Sequence, residues 1–112
     1  MTTEGQHLLM DLWYDKDIDP IADKICELVK ENFKVVEMTG HEFEPQGRTV
    51  VYILSESHFT IHTYPEHNYL SLDIYICNKD YDLAGFADKI LEVATPIDYN
   101  AALDKRGVRE AR

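Results

Sequence analysis

A two-layer α+β sandwich, in which a mainly antiparallel sheet carries two helices packed on one face, is the fold class this sequence predicts. Three observations lead there. Two stretches repeat their apolar residues at helical spacing, several others alternate with the period of a strand, and the connections among the central strands are short enough to favour antiparallel neighbours. With 112 residues the chain forms a single domain, 1–112, built on one core.

In chain order, residues 7–14 alternate, with Leu8, Met10, Leu12 and Tyr14 on one face and His7, Leu9, Asp11 and Trp13 on the other. They predict a strand whose second face is half polar. Asp19-Pro20 reads as an N-cap followed by proline at the first helical position, and Ile21, Ile25, Leu28 and Val29 form one apolar stripe. The first helix therefore spans residues 20–32, with Cys26 a small side chain at the edge of the stripe. Residues 34–39 are a short β-branched run, and residues 40–47, which include Pro45, read as a loop.

Residues 48–55 follow, with Val50, Val51, Tyr52, Ile53 and Leu54 in succession, which predicts a strand buried on both faces for much of its length. Residues 58–63 form the next strand and residues 69–77 another, where Leu70, Leu72, Ile74 and Ile76 oppose Tyr69, Ser71, Asp73, Tyr75 and Cys77. After a polar turn at 78–82, Leu83, Phe86, Ala87, Ile90 and Ala94 make a second amphipathic helix that ends before Pro96. Residues 97–112 are mixed in character and leave room for one last short strand.

Composition narrows the function. Acidic residues outnumber basic ones 21 to 11, and the net charge of -10 argues against nucleic acid or an anionic membrane surface as partner while favouring a cationic small molecule. No apolar run reaches the roughly 18 to 20 residues of a bilayer span. The first seven residues lack the basic start and apolar centre of a signal peptide, so a cytoplasmic location is expected. Two cysteines, Cys26 and Cys77, suit a reducing compartment and are too few for a disulfide scaffold. A small sheet with helices on one face leaves the other face in need of cover, which predicts a homodimer.

One stretch stands apart. Residues 54–66 crowd hydroxyls, imidazoles and carboxylates into a segment that otherwise reads as strand, with His58, Thr60 and His62 on one face and Phe59 and Ile61 on the other. Such a face is either solvated or lines a site. Taken singly, Cys77 is a small strand residue, His62 a structural histidine, Thr49 a β-former, and Asp11 and Asp73 solvated carboxylates that also suit the cationic groups of a substrate. His58, His62 and Cys77 bring no second ligand cluster at metal-binding spacing, so no metal is expected.

The order Gly5-Gln6-His7-Leu8-Leu9, Pro45-Gln46-Gly47-Arg48-Thr49, Ser55-Glu56-Ser57-His58 running on to His62-Thr63-Tyr64-Pro65-Glu66, and Asp73-Ile74-Tyr75-Ile76-Cys77 resembles the small prokaryotic S-adenosylmethionine decarboxylase proenzymes. The resemblance runs from Gly5 to Lys105-Arg106-Gly107. It departs at Tyr64, where tryptophan is common, at Val50 and Asn78, where glycine is common, and in a shorter segment after the second helix.

This resemblance implies self-cleavage between Glu56 and Ser57, with Ser57 converted to an N-terminal pyruvoyl cofactor that forms a Schiff base with the substrate amine. It implies that His62 serves proton transfer in processing, that Thr49 assists the same reaction, that Glu56 ends the first fragment and that Cys77 is the proton donor in turnover. A protonated thiol suits that last role, and Ile74 and Ile76 are expected to favour it through apolar surroundings. The implied activity is conversion of S-adenosylmethionine to its decarboxylated form and carbon dioxide, for spermidine biosynthesis. A pyruvoyl-dependent arginine or ornithine decarboxylase and an unprocessed homologue acting as a binding partner are the alternatives. The sequence names no residue that clamps the substrate.

Overall fold

The computed structural model describes residues 3–109 as one antiparallel sheet with two helices on a single face. The strands are β1 (Gly5–Trp13), β2 (Val35–Glu42), β3 (Arg48–Leu54), β4 (Ser57–Tyr64), β5 (Tyr69–Ile76) and β6 (Asp98–Arg106). The helices are α1 (Asp19–Asn32) and α2 (Leu83–Ala94), and a single 3-10 turn, Pro65–His67, joins β4 to β5. In space the strands run β2-β3-β4-β5-β1-β6, every neighbouring pair antiparallel.

Register explains how one face becomes the core. Leu8 sits opposite Ile74, Met10 opposite Leu72 and Leu12 opposite Leu70. On the other side of β5, Phe59 faces Ile74 and Ile61 faces Leu72. These layers meet the buried stripes of α1 (Ile21, Ala22, Ile25, Cys26, Val29) and α2 (Leu83, Phe86, Ala87, Ile90, Ala94). Phe59 is fully buried, and covering one such side chain contributes about 1.5 to 3 kcal/mol. Phe33, after α1, meets Phe86 edge-on at 5.0 Å and so ties the two helices together.

Both helices lie on one face because of where the connections go. β1 is first in the chain but lies between β5 and β6, so α1 must cross from β1 to the far edge at β2, and α2 must cross β1 to reach β6. The opposite face of the sheet is left bare.

Several expectations change in the structure. Ile18, not Asp19, occupies the N-cap of α1, and the cap makes no side-chain bond; Asp17 instead accepts from the Asp19 N–H at 3.1 Å. β3 is buried on one face only: Tyr52 and Leu54 are covered, while Ile53 is 45% exposed on the bare face. The loop expected from residue 40 begins later, since His41 and Glu42 still pair with Thr49 and Arg48. The last strand is not short, because β6 pairs with β1 over nine residues, from Asp98 opposite Trp13 to Arg106 opposite Gly5. In the other segments the alternation predicted for residues 7–14, 58–63 and 69–77 matches the observed burial.

Candidate active site

Pairing of Leu54 with Ser57 leaves Ser55 and Glu56 as the turn between β3 and β4. A two-residue turn in this setting needs a left-handed residue, and Glu56 takes that place at φ 63°. For a residue with a Cβ this costs about 1 kcal/mol or more, so the peptide bond entering Ser57 follows a strained position. Ser57 lies opposite Ile76 on β5, one residue before Cys77, and the Cys77 backbone N–H donates to the Ser57 Oγ at 3.2 Å. Glu56, Ser57, His58, Tyr75, Cys77 and Arg106 line an open hollow of about 420 Å³ at this end of the sheet.

Cys77 is a half-buried free thiol. The expected source of its apolar surroundings is corrected by the register: Ile74 and Ile76 are buried on the helix side, whereas Cys77 faces the hollow among Glu56, His58, Tyr75 and Arg106. The other cysteine, Cys26, is on the buried face of α1, and burial raises its thiol above the ordinary range.

Beside the hollow, the bare face carries a polar row. Tyr75 lies between His7 on β1 and His58 on β4, edge-on to the first at 5.8 Å and stacked on the second at 5.8 Å. Asp73, next along the same face of β5, lies 2.8 Å from His7 Nε2 and 4.0 Å from His58 Nε2. Asp73 is thus held by imidazole and is not a free carboxylate. Asp11 likewise accepts a hydrogen bond from the Tyr69 hydroxyl; burial, then that bond, push the Tyr69 pKa up to about 12, so the phenol remains a donor across the neutral range.

Thr49 and His62 meet elsewhere. They pair across β3 and β4, with Thr49 Oγ1 and His62 Nδ1 2.8 Å apart. At about 3.3 Å per residue along β4, His62 stands roughly 17 Å from Ser57. The expected residues therefore form two groups on one chain: Glu56, Ser57 and Cys77 at the hollow, and Thr49 with His62 further along the bare face. His7, Tyr75 and Arg106 were not foreseen as site residues. Alternation places Tyr75 beside Cys77, but the β1–β6 pairing that brings in Arg106 has no signal in the local sequence.

Comparison with known proteins agrees with this architecture. The family model described as S-adenosylmethionine decarboxylase matches residues 6–107. The S-adenosylmethionine decarboxylase proenzyme of Geobacillus kaustophilus is 45% identical over 99 residues, covering 83% of this chain and 79% of that protein. The proenzyme of Bacillus velezensis is 42% identical over 98 residues, covering 82% and 77%. The crystal structure of the adenosylmethionine decarboxylase from Aquifex aeolicus superposes with a TM-score of 0.78 at 27% identity, covering 100% of this chain and 98% of that one. With the fold, the Ser57 hairpin and these matches in agreement over nearly the whole length, the chain belongs to the S-adenosylmethionine decarboxylase family.

Proposed function

We propose that the chain is a proenzyme that cuts itself between Glu56 and Ser57 and then decarboxylates S-adenosylmethionine, yielding the aminopropyl donor for spermidine synthesis. The observation that carries this reading is the placement of the Ser57 hydroxyl directly after a left-handed residue, in one hollow with a free thiol.

Cleavage needs only protein groups and water. The Ser57 Oγ attacks the Glu56 carbonyl carbon, the C–N bond breaks, and an ester replaces the amide. Removal of the Ser57 Cα proton expels the Glu56 carboxylate and leaves dehydroalanine, which water converts to a ketone with release of ammonia. Release of the Glu56 backbone from its left-handed turn favours the forward direction. Ser57 lines the hollow together with His58, Tyr75 and Arg106, whose polar ends suit a pyruvoyl group formed from that serine. That group supplies an electrophilic carbonyl that condenses with the substrate amine and accepts the electrons freed as carbon dioxide leaves. Cys77 borders the same hollow and holds a proton for the carbon that loses carbon dioxide.

Mass spectrometry of fresh protein, followed by carbon dioxide release from S-adenosylmethionine, arginine and ornithine in separate assays, tests the reading. Fragments 1–56 and 57–112, the second with a blocked N-terminus, and release from S-adenosylmethionine alone are expected. Release from arginine or ornithine alone would overturn the substrate, and a chain that stays intact on prolonged incubation would overturn the enzyme.

Thr49 and His62 lie too far from their own Ser57 to act on it, so in this reading they serve the hollow of a second copy packed on the bare face. The half-exposed Leu9 and Ile53 on that face support such cover. The chains Ser57→Ala and His62→Ala, each expected to stay uncut alone, give a decisive mixture. Co-expressed and purified as a mixed dimer, the His62→Ala chain should be cut, because its partner supplies the imidazole. No cutting in the mixed dimer would show that the two groups do not work across copies.

A further inference from the structure

We infer that Arg106 receives the α-carboxylate of the substrate, an assignment that rests on the decarboxylase reading above. In an α-amino acid the amine nitrogen and the carboxylate carbon hang on one carbon, about 2.5 Å apart. Whatever holds the carboxylate must therefore line the same hollow as Ser57, where the amine condenses. Among the six residues that this chain brings to the hollow Arg106 alone carries a guanidinium or ammonium group. The need for a fixed cation is acute, because the chain carries a net charge of -10 and Glu56 lines the same hollow. A bare carboxylate entering there meets repulsion unless a cation receives it.

The fold places this arginine with care. Arg106 ends β6 opposite Gly5, and its guanidinium lies 5.6 Å from the centre of the Tyr75 ring. A Cβ on Gly5 would sit 2.8 Å from the Ile76 carbonyl oxygen and 3.0 Å from the Tyr75 hydroxyl. The absence of a side chain at Gly5 is what allows the Tyr75 ring to lean across β1 and meet the guanidinium of β6. Immediately beyond, Gly107 turns at φ 70°, and a Cβ there would fall 1.8 Å from the Thr3 carbonyl oxygen, so the strand stops at the hollow's rim. Stacking on an aromatic ring leaves the N–H edge of a guanidinium free for two parallel bonds to a carboxylate. Among the described residues Arg106 forms no ion pair that would occupy that edge.

Two-point capture fixes the direction of the bond that breaks. It also separates substrate from product, since decarboxylated S-adenosylmethionine has lost the group that Arg106 holds and is released more readily.

The test compares these two compounds on the cleaved enzyme. In Arg106→Gln the KM for S-adenosylmethionine should rise roughly 10- to 100-fold, as expected for loss of a charged hydrogen-bonded pair. The Kd of decarboxylated S-adenosylmethionine, measured by titration calorimetry, should stay within about twofold of wild type. Arg106→Lys, which keeps the charge but not the fork, should fall between. An unchanged KM overturns the assignment. So does a parallel loss of both compounds, which would put the guanidinium on the carboxyl groups of Glu56. An Arg106→Gln chain that stays uncut while wild type cuts also overturns it, by giving the arginine to processing. If wild type itself stays uncut, the decarboxylase reading fails instead.

Discussion

Ser57→Ala should leave one uncut chain of 13.0 kDa that releases no carbon dioxide from S-adenosylmethionine. The loss should be complete because, in the proposed reading, the hydroxyl is both the attacking group and the source of the ketone. Other hydroxyls lie on the same strand, but Thr60 and Thr63 are three and six residues on, roughly 10 and 20 Å from the scissile carbonyl along the strand. Ser57→Thr should still cut, more slowly, and end in a ketone one carbon longer. The fold should survive all of these changes. Ser57 Oγ accepts one bond, from the Cys77 N–H, and its removal costs about 1 kcal/mol. Thermal unfolding of Ser57→Ala checks this, and intact mass checks the cut. A cut Ser57→Ala chain would mean that another nucleophile breaks the Glu56-Ser57 bond.

Cys77→Ala should cut normally and then fail in use. In the proposed reading cleavage calls on the serine and an imidazole, and the Cys77 group that touches Ser57 is a backbone N–H, which alanine keeps. Turnover differs, because the carbon that loses carbon dioxide must be protonated before the competing carbon is. Loss of a positioned acid costs on the order of a hundredfold or more in rate. The misdirected proton converts the terminal ketone of the 57–112 fragment into an alanine-like amine, so activity should fall with each turnover and not with time alone. Fragment mass followed beside carbon dioxide release reads both effects. Wild-type turnover with an unchanged fragment mass would remove Cys77 from the reaction.

What the sequence shows of this molecule depends on which faces are covered. β1, β4 and β5 are central strands with one face under the helices, so Leu8, Met10 and Leu12, Phe59 and Ile61, and Leu70 to Ile76 alternate cleanly. The edges carry no such pattern. All nine residues of β6 are exposed, and from Val36 onward so is β2, so burial imposes no period of two on either. This is why the end of β2 reads as loop and β6 as an uncertain tail. β3 misleads in the other direction, since Val51 and Ile53 look like core and lie on the bare face. At the site, the nearness of Ser57 to Cys77 follows from β4–β5 register. That of Arg106 depends on β6 pairing with a strand about a hundred residues earlier, a long-range choice that no local pattern encodes.

The place of β1 in the sheet has a further consequence for a chain cut after Glu56. Residues 1–56 hold β1, β2 and β3, and residues 57–112 hold β4, β5 and β6, so the order β2-β3-β4-β5-β1-β6 interlocks the halves: a strand of the first is clasped between two of the second. Three strand-to-strand seams hold the pieces together once the peptide bond is gone. The precursor assembles this clasp as one tethered chain, with the cost of bringing its parts together held down by connectivity. A chain cut after Glu56 would have given that tether up. Unfolded, it would have to find its other half by collision, so its persistence would rest on the slowness of unfolding more than on equilibrium, and the proposed cut would act as a one-way ratchet on folding.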